Sequence, residues 1–492
     1  MKRIFFSLQA LAILLGAAGC HDALLNMEPE SILTTTNYFR SSSEVNKAVI
    51  GIYSNLQARR MSDYVLMEAP SDNLYMSTNS PIAGAGDIDG LTVTPDNNVV
   101  AGFWESNYAG IYRANQVLLN IDKPTDYTGN AKNQFIGEAK FMRALFYFDM
   151  VRAFGAVPLV TTQISIEEAR NQRRASVDDV YNLIISDLKD AVDKLPLAAA
   201  MEKGRASKGA ATALLGKVYI YRKDYANAKD LLNKAANDFG YNLVPNFATM
   251  WNPATEDNSE IIFTMKYVES VNGQTLSTAF IPNGGVYNIV ERGVETALPS
   301  WSLNKLYVAG DKRKANTITD LVVSPTAPND PPVFYPYVSK FANKHLYNTS
   351  GLDIPVIRYA DVLLLQAEAL YNTNDKAGAL TALNKVRERA FGDASHNYTA
   401  ADIAAPADFL DKLLLERQLE LAFEGERWFD LVRTGKFLTV MTKEERLYVP
   451  ANNAAQTVTL TPQSYMAVFP VPQRQIDQYN PGVMDQNEGY KK

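Results

Sequence analysis

Flat aromatic rings set beside short polar side chains are the residues of this chain best suited to chemistry, and the chemistry is noncovalent capture. A ring face covers apolar surface while carboxylate, carboxamide and guanidinium groups supply directed hydrogen bonds. Two segments carry the mixture. The first, APSDNLYMSTN from Ala69 to Asn79, offers Asp72, Asn73 and Tyr75, with Trp104 at the start of the following helical stretch. The second, the aromatic-rich run 241–355, offers Tyr287, Arg292, Trp301 and Tyr335. Each has a structural reading as well: Trp104 can anchor its own helix, Asp72 and Asn73 can hydrogen-bond a turn, and Trp301 and Tyr287 can bury themselves. Trp251, before Asn252 and Pro253, reads as turn packing, and Trp428 and Phe429 read as core.

Covalent chemistry has no motif behind it. GxSxG, HExxH and a phosphate-binding loop are all missing, GRASKG has the wrong spacing, and GAGDIDG does not match the dinucleotide pattern. A glycoside hydrolase needs two carboxylates facing one bond, and with 54 acidic residues composition alone does not decide against it. The single cysteine, Cys20, excludes an internal disulfide framework and a thiolate metal cluster, and His21, His345 and His396 are too scattered for zinc. Asp87 and Asp89 of GDIDG could offer oxygens to a structural calcium, but the remaining spaced acids are absent. A plain turn is the better reading, and no cofactor is expected. The net charge of -6, with signs interspersed, gives no indication of nucleic-acid binding.

The candidate residues need a frame, and the sequence supplies helical hairpins. SKGAATALLGKVYIYRKDYANAKDLLNKAANDFG, Ser207 to Gly240, reads as two amphipathic helices about a polar turn, with Asp224 placed to cap the second. RYADVLLLQAEALYNTNDKAGALTALNKVRERA, Arg358 to Ala390, aligns with it without a gap, Asp224 on Asp375, Ala228 on Ala379 and Leu232 on Leu383. Small residues at Gly216, Ala228, Ala367 and Ala379 let paired helices approach closely, as in tetratricopeptide units, and such pairs require stacked neighbours to cover their apolar faces. Further helices are expected over 44–59, 103–121, 134–154, 176–195 and 407–437, so that helices occupy about 44–60, 103–240 and 356–437. In the last of them Glu416, Glu420, Glu424, Arg427 and Arg433 have the spacing of ion pairs along one helix. Two irregular insertions, 61–102 and 241–355, interrupt the helices, the second with a strand over Glu260 to Tyr267. Its aromatic richness argues against disorder. The proline-punctuated C-terminal tail is expected to lie extended over the scaffold.

At the other end, Lys2 and Arg3 precede an apolar run from Ile4 to Leu15 and the small residues Ala17, Ala18 and Gly19, so that cleavage would leave Cys20 first. This arrangement is similar to a bacterial lipoprotein signal whose new terminal cysteine is acylated. It divides the chain into a signal peptide, 1–19, a lipidated tether, 20–43, and a single domain, 44–492.

Taken in order, the leader, FWESNYAGIYRANQVL, EAKFMRALFYFDMVRAFGAVPLV, GRASKGAATALLGKVYIY, RYADVLLLQAEAL, ERQLELAFEGERWFDLVRTGK and FPVPQRQIDQYNPGVMDQNEGY resemble the SusD/RagB family of nutrient-binding outer-membrane lipoproteins. The resemblance implies a mostly α fold of about eight helices in four tetratricopeptide-like pairs with little β structure. It implies that the irregular insertions form the ligand face, and that a lipid on Cys20 holds the protein at the outer surface of a Bacteroidota cell. It further implies non-catalytic capture of an oligosaccharide and its delivery to a SusC-like TonB-dependent transporter. The aromatic and polar groups would suit a peptide in an uptake protein of the same architecture; a glycoside hydrolase and a protein-binding helical adaptor are the remaining readings.

Overall fold

Apolar stripes at helical spacing, five of them capped by Ser or Asp, build the frame seen in the computed structural model, which describes residues 38–491. The stretch read as a signal peptide, Cys20 and most of the stretch read as a tether lie outside the described residues. Helices α1 (Ser42–Glu68), α2 (Asn98–Asn120), α3 (Ala131–Phe154), α4 (Val177–Lys194), α5 (Lys208–Tyr221), α6 (Tyr225–Asn237), α7 (Tyr359–Asn372) and α8 (Lys376–Phe391) stack in chain order, each packed on the next. Helix α9 (Pro406–Leu421) closes against α7 and α8, and the short α10 (Arg427–Arg433) follows it. The caps are the expected ones: Ser176, Asp224 and Asp375 each accept a hydrogen bond from the amide three residues on. Such caps contribute about 1 kcal/mol each. Helix α5 approaches α6 so closely that a Cβ on Gly216 would sit 2.8 Å from the Leu232 side chain.

Strands β1 (Leu74–Met76), β2 (Ile261–Met265), β3 (Ala297–Pro299), β4 (Ile318–Val322), β5 (Val333–Val338), β6 (Ile354–Arg358), β7 (Lys443–Val449) and β8 (Ala454–Thr459) make antiparallel two-stranded pairs, β1 with β3, β2 with β6, β4 with β5 and β7 with β8. The pairing of β1 with β3 joins the two insertions. One apolar core runs from Val49 and Ile52 of α1 through Phe141 and Phe146 of α3 and Leu364 of α7 into the second insertion at Phe263, Phe280 and Phe341. The C-terminal tail lies over the frame, with Phe469 N bonded to Ala153 O and Gln473 N to Pro95 O.

Two features depart from the sequence reading. Helix α1 continues to Glu68, well into the stretch read as loop, because Tyr64, Val65 and Leu66 are core residues. The single helix expected over 407–437 is broken after Leu421: Phe423 and Gly425 adopt positive φ, and the Glu68 carboxylate accepts hydrogen bonds from both of their amides, at 3.0 and 2.7 Å. A buried acceptor outside the helix thus replaces the helical hydrogen bonds lost at the break.

Apart from Arg433 with Asp430, the charges of this segment pair across the molecule and not along the helix. Glu420, fully buried, accepts from Arg358 at 2.6 Å, from Arg313 at 3.2 Å and from Arg389. Glu416 pairs with Arg313 and Arg387, and Glu424 with Arg358 and Lys340. Arg427 pairs with Asp72, while Arg433 pairs with Glu368 and with Asp430 one turn away. Burial disfavours the ionised Glu420, but the three guanidiniums outweigh it and hold the carboxyl well below the usual range. Removing one member of such a group strands the others uncompensated, which costs about 3–5 kcal/mol. Glu420→Ala should therefore lower the melting temperature by several degrees, whereas Glu167→Ala, on an exposed first helical turn, should leave it nearly unchanged. Equal melting curves for the two variants would contradict this assignment.

Candidate ligand-binding face

The open surface of the insertions carries an aromatic cluster, and its position can be followed residue by residue from the buried frame. Arg427 holds the Asp72 carboxylate through two hydrogen bonds, 2.7 and 2.9 Å, and Gln418 donates to both Asp72 and Asn73. The Asn73 carboxamide also donates to Glu68 at 2.6 Å. With their side chains fixed inward, Asp72 and Asn73 present their carbonyls to Ser300, whose hydroxyl donates to Asp72 O at 2.6 Å and whose amide donates to Asn73 O at 2.9 Å. Ser300 in turn caps the single helical turn that begins at Trp301. The Trp301 indole, partly exposed, stacks on Tyr448 at 4.1 Å and 11°, and Phe334 stands edge-on to both, at 6.4 Å from Trp301 and 5.8 Å from Tyr448. Strand β7, which carries Tyr448, is tied to the same turn by Glu445 N to Ser302 Oγ at 2.8 Å and by a Lys305–Glu445 ion pair. Leu321, Val333, Leu447 and Val449, on the two hairpins, are exposed as well.

A polar floor adjoins the platform. Tyr335 donates its hydroxyl to Glu295 at 3.0 Å, and Ser77, Asn79 and the Asn283 amide donate to the same carboxylate. Tyr75 pairs across β1 and β3 with Leu298 and lies under the Arg446 guanidinium, 5.6 Å from ring centre to cation. Arg446 is held between Glu444 and Asp89, both at 2.7 Å. Burial pushes the Asp89 carboxyl up to about 6 and the Glu444 carboxyl up to about 8, with Arg446 opposing the shift in each case.

The structure thus places Trp301 on Tyr448, two residues along β7 from the Arg446 that covers Tyr75, ties Tyr335 to Glu295, and gives Asp72 and Asn73 a different task. Both are buried and serve to hold the Ser300 turn, so neither offers its side chain to a ligand. Trp104 is only 2% exposed and packs edge-on against Phe154 at 4.9 Å; it is a core residue, because its helix turns that position onto α3. Tyr287 is 44% exposed and Arg292 lies on the Tyr347 ring at 4.1 Å, and among the described residues no ring contact or hydrogen bond joins either to Trp301. Asp89 of GDIDG spends its oxygens on Arg446 and on the Met76 amide, and among the described residues no group of three or more His, Cys, Asp or Glu is gathered for a metal. Phe334, Tyr448 and Arg446 contact these residues but were not among the candidates read from the sequence. The FYPY run gave a signal for Phe334; Tyr448 follows the last long helix in a segment with no such cue.

The family described as "SusD family" matches residues 263–490, and the one described as "Starch-binding associating with outer membrane" matches residues 24–220. A SusD-like protein of Formosa agariphila is 26% identical, with 96% of each chain covered. Among solved structures, a SusD-like protein from Bacteroides fragilis superposes with a TM-score of 0.78 at 23% identity, over 92% of this chain and 98% of that one. Surface glycan-binding protein A from Bacteroides thetaiotaomicron, in complex with laminarihexaose, superposes with a TM-score of 0.76 at 19% identity, over 91% of this chain and 99% of that one.

The floor makes a pH prediction. Because burial raises the Glu444 pKa in the fold, the folded chain holds that proton more tightly than the unfolded one, and the stability it contributes at low pH is lost as pH climbs toward the folded value. Glu444→Gln should therefore flatten the fall in melting temperature between about pH 5 and about pH 9. Parallel curves for the variant and the native chain would show that Glu444 titrates normally.

Proposed function

The chain belongs to the SusD/RagB family, and from that premise we propose that it is a non-catalytic surface protein that captures oligosaccharides on the Trp301–Tyr448–Phe334 platform. The observation that carries this reading is the stacked Trp301–Tyr448 pair at an open surface. A pyranose presents one face of C–H groups and an edge of hydroxyls, and a half-exposed ring backed by fixed polar groups complements both. Tyr335, Tyr75 and Arg446 would read the hydroxyl edge; each is already oriented by a neighbour, so little side-chain freedom is lost when a ligand lands. The same overall fold, in the laminarihexaose complex of the Bacteroides thetaiotaomicron protein, supports a glycan as ligand.

In this reading Cys20 carries the lipid, the protein sits at the outer membrane, and the bound glycan passes to a SusC-like TonB-dependent transporter. Among the described residues no helix is long and apolar enough to cross a membrane. A hydrolytic role gains nothing from the floor: Asp89 and Glu444 are buried and share Arg446, instead of flanking an open bond as two catalytic carboxyls must.

Affinity electrophoresis against a glycan panel tests the proposal. Trp301→Ala and Tyr448→Ala should each weaken retention about tenfold or more, about 1.4 kcal/mol, without lowering the melting temperature comparably, and incubation with the retained glycan should release no reducing ends. Undiminished retention by both variants, or reducing ends released by pure protein, would overturn it.

A further inference from the structure

We infer that the site discriminates by charge, accepting uncharged glycans and rejecting carboxylated or sulfated ones, with Glu295 as the main specificity-determining residue. The inference rests on the carbohydrate reading above. Its physical basis is how the charges around the platform are compensated. Glu295 is 5% exposed and bonded to four neutral donors, Ser77 Oγ, Asn79 Nδ2, the Asn283 amide and Tyr335 Oη, and among the described residues no cation pairs with it. Neutral donors orient a carboxylate and stabilise it, but they leave its net charge in place.

Three cations around the platform are already committed. Arg446 lies between Asp89 and Glu444, Lys305 is paired with Glu445, and Lys314 with Asp320, which also accepts from Asn304. Arg446 therefore brings no surplus positive charge to the face, and the group that stands behind Tyr335 is an uncompensated anion. A hydroxyl edge is favoured here: the hydroxyl of Tyr335, locked as a donor toward Glu295, keeps its oxygen lone pairs free to accept from a sugar hydroxyl. A uronate or sulfate at the same place would meet repulsion from Glu295 with the Arg446 guanidinium already engaged, and partly buried charges are screened less than exposed ones. Phosphate- and carboxylate-reading sites show the opposite arrangement, with Arg forks left open to the ligand.

Matched probes separate this inference from the reading beneath it. Laminarin, starch and dextran, each compared with its own carboxymethyl derivative, present one backbone with and without charge, and retention is measured at about 20 mM and about 500 mM salt, on either side of effective screening. For any backbone retained, the carboxymethyl form should bind at least tenfold more weakly at low salt. That gap should narrow severalfold at high salt, and also in Glu295→Gln at low salt. Should Glu295→Gln fail to fold, as its melting curve would show, the salt series on the native chain decides alone. Equal or tighter binding of the carboxymethyl forms, or a gap that ignores salt, overturns the charge rule while leaving glycan capture standing. If uncharged and charged forms alike go unretained on every backbone, the carbohydrate reading fails and the charge rule with it.

Discussion

Glu420 and the three arginines around it are the interaction on which the remaining architecture depends. Arg358 enters from the end of β6, Arg389 from α8 and Arg313 from the second insertion, so one carboxylate joins the helical stack to the irregular segments that cover it. Glu260 answers Arg358 and Arg389 from the other side, at 2.9 and 3.0 Å, and Lys340 closes the group through Glu424. An apolar contact would hold these segments together at less desolvation cost. It would not fix their register, because apolar faces slide whereas a carboxylate meets a guanidinium in few orientations.

That fixed register is what reaches the surface. The break after α9, which Glu68 satisfies, lets the chain reverse and place Arg427 on Asp72. Asp72 and Asn73 then hold Ser300, Ser300 starts the turn of Trp301, and Glu445 brings Tyr448 over the indole. Every step is a hydrogen bond to a group that is itself held, so the partly exposed ring pair at the end of the series is preorganised. A loop-borne aromatic without that backing would sample several rotamers and lose more freedom on meeting a ligand.

The helical frame was legible in the sequence because its determinants are local. Asp224 and Asp375 cap the helices that follow them, and Gly216 sits where α6 presses close, each within its own hairpin. What escaped was non-local. Asp72 and Asn73 had the residue types of a hydrogen-bonding site, yet their partners Gln418 and Arg427 lie more than three hundred positions away. Glu416, Glu420 and Glu424 had the spacing of pairs along a helix, and periodicity alone does not reveal that their face is buried against arginines from elsewhere. Trp104 failed as a site residue for the converse reason, its helix packing being stronger than its aromatic type suggested. Tyr448 was invisible because its stack on Trp301 joins residues nearly 150 positions apart, through ties from Glu445 to Ser302 and Lys305 that no local pattern announces.

A stack of helices thus pins, through its buried charges, a surface of rings and hydroxyls, and the proposal is that ligand lands there. Hydrogen exchange measured by mass spectrometry, with and without a retained oligosaccharide, tests that claim most directly. Added protection in the peptides that carry Trp301, Phe334 and Tyr335, and Tyr448 is the result the account predicts. Protection confined to the cleft of the helical stack lined by Tyr225, Tyr371 and Phe409, with those peptides unchanged, would contradict it.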